Sequence, residues 1–219
     1  MWHAMDMKLA ELVESVADEP VFETGLLLAG NVDVGDVRRQ LSRWTKSGRV
    51  YQLRRGLYAL APPFQKVRPH PFLVANRMVH GSYVSCQSAL AHYGLIPEHV
   101  PVVTSVTTGR PARWDTPLGS FDFRHVKREL LRGYWLIELG GGQRAFVAAP
   151  EKALLDLIWL QPGGDGRGYL RELRLQNTDR LDLERLRREA EQANSPKLRR
   201  AAERVAVLAR EESGEYETL

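Results

Sequence analysis

Apolar residues at helical spacing predict three short helices at the start of this chain. The first covers residues 7–17 and the second about 21–30. The third is predicted over Val34–Lys46, where four apolar residues recur at intervals of three, four and three and so share one face: Val34, Val37, Leu41 and Trp44. Asp33 precedes this helix at the position where a side chain caps the first turn.

Two short strands are predicted directly after the third helix. Ser47-Gly48 ends that helix, since glycine is favoured just beyond a helix end. Strands at 50–53 and 57–60 then flank a turn that contains Arg54-Arg55-Gly56. Three helices followed by a basic hairpin are typical of a winged helix-turn-helix domain. We assign it to residues 1–63, because consecutive prolines at 62–63 cannot continue the hairpin ladder.

From residue 64 onward the pattern is mixed. Short apolar or β-branched runs predict strands at 82–85, 102–108, 119–126, 134–139 and 144–148. Helices are predicted at 71–79, 88–95 and 150–161, the last one apolar almost all round and therefore buried. Beyond about residue 178, apolar stripes predict two further helices that form a hairpin. The predicted fold class is α+β, with a mixed α/β domain over 64–219 after the winged helix-turn-helix.

Composition narrows the class of protein. With 219 residues, 43% apolar and 26% charged, the chain has the composition of a globular protein of one or two domains. No apolar run approaches the roughly 18–20 residues that cross a bilayer, and the first residues lack a secretory signal. Cys86 stands alone, which excludes an internal disulfide framework and predicts a cytoplasmic location. Six dispersed histidines show no metal-ligand spacing, so we expect neither a metal nor a cofactor.

Positive charge is concentrated on the predicted third helix and the turn after it. The chain has a net charge of only +4, yet residues 37–56 hold seven Lys or Arg and no Asp or Glu. The basic side chains of the helix lie opposite its apolar face, as a DNA-recognition helix requires, although a cationic face is also a common solvated surface. The candidate DNA-binding residues are Arg38, Arg39, Ser42, Arg43, Lys46, Arg49, Arg54 and Arg55. Gly35 would allow close backbone approach to DNA.

Charged residues of the predicted buried helix raise the question of catalysis. Glu151, Lys152 and Asp156 could bind a metal or activate water, and a nuclease-like cluster would add Asp122 and Glu138 from neighbouring strands. An acid at a helix start and a Lys–Asp pair four residues apart are, however, ordinary features of helices. We therefore predict no catalytic residue here.

Two other arrangements also fall short of a catalytic motif. Ser85, Cys86 and His92 suggest a nucleophile and a base, but no third group that would orient the base is identifiable. Glycine-rich stretches at 140–142 and 163–168 lack the following Lys-Ser or Lys-Thr of a phosphate-binding loop, so both are predicted to be loops. The protein is therefore not expected to be an enzyme.

Four blocks of the sequence follow one another along the chain: RRGLYAL at 54–60, SYVSCQSALAHYGLIPE at 82–98, VTSVTTGRPARWDTPLGSFDFRHV at 103–126 and AAPEKALLDLIWL at 148–160. Taken in this order, they resemble the AbiEi family of bacterial antitoxins. The resemblance covers about residues 8–175. It rests on the following positions: Arg55, Gly56, Tyr58, Leu60, Tyr83, Ser85, Ala89, Leu90, Tyr93, Gly94, Leu95, Thr104, Ser105, Thr107, Thr108, Thr116, Pro117, Gly119, Phe121, Pro150, Glu151, Lys152, Ala153, Leu154 and Asp156.

The resemblance implies the antitoxin of a type IV toxin–antitoxin pair. Its N-terminal domain would bind inverted repeats in double-stranded operator DNA and repress its own operon. The rest of the chain would counteract a nucleotidyltransferase-like toxin. In such systems this counteraction often occurs without a stable complex between antitoxin and toxin, so direct contact is a weaker implication.

A second basic set follows in the middle of the chain: Arg110, Arg113, Arg124, Lys127 and Arg128. If the strands at 102–108 and 119–126 pair, the connecting loop GRPARWDTP projects Arg110, Arg113 and Trp114 together. That face would suit the toxin, its RNA substrate or further operator DNA, whereas the simpler interpretation is a solvated loop.

Two other function classes remain open from the sequence. A one-component regulator would bind a small ligand in its second domain and would show ligand-dependent affinity for its operator. An enzyme would be a nuclease or a protein that modifies the toxin covalently. No motif of adequate specificity supports either alternative.

Overall fold

The computed structural model describes residues 8–16, 18–28, 33–97 and 100–216, with side-chain surroundings up to 211. The described residues up to 60 form three helices and a three-stranded antiparallel sheet of order β1-β3-β2. These elements are α1 (Leu9–Ser15), β1 (Phe22–Glu23), α2 (Thr24–Leu27), α3 (Val34–Lys46), β2 (Val50–Arg54) and β3 (Leu57–Leu60). The predictions of α3 and of the two strands after it are confirmed.

Both ends of α3 are fixed by local hydrogen bonds. The Asp33 carboxylate accepts a hydrogen bond from the backbone N–H of Asp36 at 2.9 Å, which confirms the predicted cap. At the other end Gly48 has a φ of +70°, and the N–H of Arg49 donates to the carbonyl of Trp44 at 2.9 Å. This is the Schellman arrangement, in which glycine supplies the left-handed conformation. The helix therefore ends where the sequence predicts.

The predicted start of the second helix is wrong. Phe22 and Glu23 form strand β1 and pair with Tyr58 and Leu57 of β3, so α2 begins only at Thr24. Residues 29–30, the end of that predicted helix, lie outside the described part of the chain. The extended backbone at 22–23 is selected by the edge of β3, a partner remote in sequence that local periodicity does not reveal.

The rest of the described chain forms a six-stranded mixed sheet with helices, so the protein has a mixed α+β fold. Strand order is β6-β7-β5-β4-β9-β8; β5 is parallel to β7 and β4 to β9, and the other pairs are antiparallel. The elements are α4 (Pro71–Met78), β4 (Tyr83–Val84), α5 (Cys86–His92), β5 (Val102–Thr107), β6 (Ala112–Thr116), β7 (Gly119–His125), β8 (Tyr134–Glu138), β9 (Arg144–Ala148), α6 (Pro150–Leu160), α7 (Arg167–Glu172), α8 (Leu183–Gln192) and α9 (Pro196–Tyr216), with short 3₁₀ turns at Arg128–Leu130 and Thr178–Arg180.

Strand β6 replaces most of the loop that the sequence predicts between β5 and β7. It lies at the edge of the sheet, antiparallel to β7, with Pro111 before it and Pro117 after it. Trp114 packs edge-to-face on Phe123 at 5.3 Å between ring centroids, while Arg113 before it is exposed. The segment GRPARWDTP is predicted from the sequence as the loop that connects two strands, but an edge strand tolerates proline at its ends.

Two buried clusters meet at strand β3. Tyr58 and Leu60 belong to a cluster with Trp44 and the other apolar residues of the N-terminal helices. Leu57 and Ala59 belong to the larger cluster built on the six-stranded sheet. All four side chains of the strand are buried. One strand thus serves two cores, which fixes the hairpin to the second sheet by direct packing.

Helix α6 carries an ion pair at the centre of the larger core. The Lys152 ammonium donates to the Asp156 carboxylate, and both side chains are almost fully buried. The other carboxylate oxygen accepts hydrogen bonds from Ser85 at 2.7 Å and from Tyr83 at 3.0 Å. Burial raises the pKa of the Asp156 carboxyl, and Lys152, Ser85 and Tyr83 oppose this shift. The cluster joins α6 to β4 and to the start of α5.

This cluster gives a prediction about stability. Asp156→Ala is expected to lower the free energy of unfolding by about 3–5 kcal/mol, because it leaves the Lys152 ammonium buried without its partner. Combining Lys152→Met with Asp156→Leu should recover part of that loss. Urea unfolding followed by circular dichroism measures both effects.

The matched control is Glu184→Ala, which removes an exposed partner of Arg187 at 2.8 Å. An exposed pair of this kind contributes no more than about 1 kcal/mol. Similar losses for Asp156→Ala and Glu184→Ala would contradict the structural role of the buried pair.

Candidate nucleic-acid interface

Helix α3 buries one face against the N-terminal core. Val37, Gln40, Leu41 and Trp44 are buried, whereas Val34 is 42% exposed. The predicted buried face of α3 is therefore wrong at two positions. It includes Val34, which is exposed, and it omits Gln40, which is buried. Val34 lies in the first turn, beyond the core, and Gln40 lies one turn before Trp44 on the buried side. Burial of a polar residue at this position was not readable from apolar spacing.

The opposite face of α3 is cationic and open to solvent. Its five predicted DNA-binding residues are all exposed: Arg38, Arg39, Ser42, Arg43 and Lys46. Arg39 pairs with the Asp36 carboxylate one turn earlier, although its side chain stays 67% exposed. The spacing of three residues makes this pair readable from the sequence, and it compensates part of the charge at the helix start.

The geometry of the helix cap explains why residue 35 is a glycine. A Cβ atom at this position would lie 2.9 Å from the Asp33 carboxylate oxygen that accepts the capping hydrogen bond. It would also lie 3.4 Å from a guanidinium nitrogen of Arg39. Glycine thus leaves room for the cap, independently of any approach to DNA.

The hairpin presents two arginines and turns the third inward. Arg49 and Arg55 are exposed, at the start of β2 and at the turn. Arg54 donates to the backbone carbonyl of Arg77 at 3.3 Å, and its guanidinium lies 4.0 Å from the Glu23 carboxylate. Its Nε is buried without a hydrogen-bond partner. Arg54 therefore links the hairpin to α4, in contrast to the outward position that the sequence suggests.

The tip of the hairpin is short and anchored. Gly56 has a φ of +83°, a left-handed backbone conformation that glycine adopts without strain. Its carbonyl accepts a hydrogen bond from the N–H of Thr24 at 2.9 Å. The turn is held against the start of α2, so Arg55 projects from a fixed backbone.

The second basic set does not form a continuous cationic face. Arg113 lies opposite Asp122 across the β6–β7 pair, and Arg124 lies 3.7 Å from the same carboxylate. Lys127 lies 5.9 Å from the ring centroid of Trp159 on α6. Arg110 and Arg128 are exposed and lie at the start and end of this region. Carboxylates between the arginines reduce the local positive charge, so α3 and the hairpin tip are the stronger candidate for nucleic acid.

The carboxylates considered for a nuclease-like cluster are far apart. Asp122 lies on β7 and Glu138 on β8, four strand positions away, or about 19 Å at the usual strand spacing. Asp156 is buried in the core, at 1% exposure. Within the described residues no group of three or more His, Cys, Asp or Glu could hold a metal ion.

The two candidate nucleophiles, Ser85 and Cys86, are both buried. Ser85 is fully buried and donates to Asp156. Burial, together with the nearby Asp156 carboxylate, raises the pKa of the Cys86 thiol, which disfavours the reactive thiolate. His92 is exposed and packs its ring against Phe72 and Tyr93. These residues have the surroundings of structural side chains.

Comparison with known proteins adds no family to this description. No protein-family model matches the chain, and no curated protein matches it. Over the ranges that the structure describes, none of the helices is long and apolar enough to cross a membrane. The function is therefore inferred from the residues and geometry above.

The two neighbouring arginines of the hairpin give a matched pair of variants. Arg54→Ala is expected to lower the free energy of unfolding by about 1–2 kcal/mol, since it removes hydrogen bonds from a partly buried guanidinium. Arg55→Ala removes an exposed side chain and should change stability by no more than about 0.5 kcal/mol. Urea unfolding of both variants checks this order, and equal stabilities would place Arg54 outside the contact between hairpin and α4.

Proposed function

We propose that this protein binds double-stranded DNA through a winged helix-turn-helix at its N-terminal end. The observation that carries the proposal is the division of α3 into a buried face and an exposed cationic face. Helix α3 has 13 residues, so it is about 20 Å long, and the major groove, about 12 Å wide, admits an α-helix. In this mode Arg39 and Ser42 face base edges, while Arg38, Arg43 and Lys46 contact phosphates.

The hairpin supplies the wing in this proposal. Arg49 directly follows the glycine that ends α3, and Arg55 lies at the anchored turn, so both can reach phosphates beside the groove. Arg54 is left out because its guanidinium is engaged within the protein. The DNA-binding set is thus narrower than the charge pattern of the sequence suggests.

We propose further that the protein is an AbiEi-like antitoxin that represses its own operon and counteracts a nucleotidyltransferase-like toxin. The proposal rests on the resemblance of the sequence blocks. Its support from the fold is that residues of separate blocks meet: Tyr83 and Ser85 of one block hydrogen-bond Asp156 of another. In this proposal the six-stranded sheet and the helical hairpin of α8 and α9 form the antitoxin domain, which acts without catalysis.

DNA binding is tested with a labelled duplex carrying the sequence upstream of the gene. Replacing Arg39 and Lys46 together by Ala should weaken binding by about 100-fold and reduce the dependence on salt, because two contacts of roughly 1–3 kcal/mol each are lost. Fluorescence anisotropy at several salt concentrations measures both quantities.

The control is the double variant Arg188→Ala with Arg199→Ala, which removes the same number of positive charges. Both arginines are exposed, one on α8 and the other on α9. Arg55→Ala should weaken binding by less than the double variant, and Arg54→Ala should leave affinity per folded molecule unchanged. Near-normal affinity of the Arg39 and Lys46 variant would remove α3 as the recognition helix.

The antitoxin half has a separate test in cells. The chain is co-expressed with the product of the neighbouring gene, and survival is measured for the natural chain and for the variant changed at Arg39 and Lys46. We expect both to restore growth, since the changed residues lie outside the second sheet. Failure of the natural chain to restore growth would reject the antitoxin assignment and leave DNA binding as a separate question.

A further inference from the structure

A groove lies between α7 and α9 in the helical part of the chain. Its larger cavity has a volume of about 330 Å³, and a second cavity of about 160 Å³ continues it beyond the end of α7. Leu170, Arg171 and Leu208 line both cavities. On α9 the larger cavity extends from Glu203 to Glu211, which is about 12 Å at the rise of an α-helix. The groove is therefore long enough to hold about two turns of another helix.

The base of the groove is apolar. Leu170 is buried, and Leu175 and Leu208 are half-buried. Val207 is 52% exposed, the largest fraction among the exposed large apolar side chains that the structure describes. None of the described side chains that line either cavity is aromatic. Exposed apolar surface inside a groove is typical of sites that bind an amphipathic helix of another protein.

The α7 side of the groove carries three free arginines. Arg167, Arg171 and Arg174 recur at intervals of four and three, so they lie along one side of this segment. All three are exposed, and within the described residues none of their side chains makes an ion pair or a hydrogen bond. Three positive charges thus lie beside an apolar surface without a partner in the described part of the chain.

Most of the other charges at the groove are engaged inside the protein. The Glu203 carboxylate lies 3.0 Å from Nε of Arg187, and Arg204 donates to the backbone carbonyl of Asp165. Glu211 is exposed and lies about one turn beyond the shared part of the two cavities. The free charge along the α7 side is therefore positive, which favours an anionic partner.

Arg174 has a backbone conformation that favours glycine. Its φ is +47°, and its N–H donates to the carbonyl of Arg171 at 3.0 Å just after the end of α7. Glycine or asparagine is the usual residue at a left-handed position that ends a helix. An arginine there costs stability, and its side chain lines the smaller cavity. Strain at such a position is a reason to look for a function of the side chain.

We propose that the groove binds an acidic amphipathic helix of a partner protein. The apolar stripe of that helix lies on the base of the groove, and carboxylates on one flank meet the three free arginines. Carboxylates three or four residues apart on a helix have nearly the separation of the arginines along α7. A single nucleic-acid strand would find the charge but no aromatic ring on which its bases stack, whereas the helix uses both parts of the groove. The inference goes beyond the proposed function, since binding requires neither DNA nor toxin.

Binding is tested with labelled synthetic peptides and the full chain. The acidic peptide is a helix with leucine at i, i+3, i+4 and i+7 and with glutamate at i+1, i+5 and i+8, on one flank of the leucine stripe. The comparison peptide has lysine in place of each glutamate. Fluorescence anisotropy should show saturable binding of the acidic peptide, at least about 10-fold tighter than that of the lysine peptide. Equal affinities, or no binding of the acidic peptide, would overturn the proposal.

Two variants test the two parts of the groove separately. Arg167→Ala combined with Arg171→Ala should weaken binding of the acidic peptide about 10-fold, because two exposed charge contacts are lost. Val207→Asp should weaken it by a similar factor, because a carboxylate is placed on the apolar base. Arg188→Ala combined with Arg199→Ala removes the same number of charges outside the groove and should keep the affinity. Unchanged affinity in either groove variant would contradict the site.

Arg174→Gly separates binding from folding. Glycine relieves the left-handed backbone, so the midpoint of urea unfolding should rise, while affinity for the acidic peptide should fall about 3-fold with the loss of one exposed charge contact. A side chain with a purely structural role would give the opposite pair of results, namely a lower midpoint and an unchanged affinity.

A labelled single-stranded RNA of mixed sequence is the third probe. Salt-sensitive binding of this RNA that is lost in the Arg167 and Arg171 variant, without binding of the acidic peptide, would assign the arginines to nucleic acid and overturn the proposal. The variant changed at Arg39 and Lys46 should bind the acidic peptide as the natural chain does. The proposals for α3 and for the groove can therefore fail independently.

Discussion

The double burial of strand β3 is the constraint on which the arrangement of this protein depends. Two side chains of the strand, Tyr58 and Leu60, complete the core beneath α3, and the two that alternate with them, Leu57 and Ala59, complete the core of the six-stranded sheet. A strand exposes alternate residues on opposite faces, so no shift of one residue in register could satisfy both cores. Arg54 adds hydrogen bonds across the same contact. The cationic face of α3 is consequently held in a fixed relation to the second sheet.

The buried cluster around Asp156 shows why charged residues in a sequence are poor evidence of catalysis by themselves. Glu151, Lys152 and Asp156 have the composition of an active site, yet all three lie inside the core. Glu151 accepts a hydrogen bond from the backbone of Asp182, and Asp156 holds Lys152, Ser85 and Tyr83. A buried pair of this kind adds little net stability compared with apolar residues, but losing one partner is costly. Its role is to fix how α6, β4 and α5 meet.

Besides the groove between α7 and α9, two surfaces remain open in the part of the chain that the structure describes. One is the cationic face of α3 with Arg55 at the hairpin turn, and the other is the set of exposed apolar side chains at the far edge of the sheet: Tyr134, Trp135, Leu136 and Phe146. They differ in chemistry: the first is charged and suited to phosphates, whereas the second combines apolar side chains with unpaired backbone groups. Strand order separates them, because the hairpin packs beside β6 while β8 lies at the opposite edge. The two surfaces therefore share no residues.

The sequence by itself determined the features that depend on a few neighbouring residues. The cap at Asp33, the end of α3 at Gly48, the exposed side of that helix and the Arg55-Gly56 turn follow from local hydrogen bonds, glycine conformation and helical periodicity. The tertiary structure decided what depends on partners distant along the chain. Residues 22–23 became a strand because β3 lies beside them, 112–116 became an edge strand on β7, and Gln40 was buried in place of Val34. Arg54 and Arg55 are adjacent and chemically identical, yet the packing of the hairpin against α4 makes the first partly buried and leaves the second exposed.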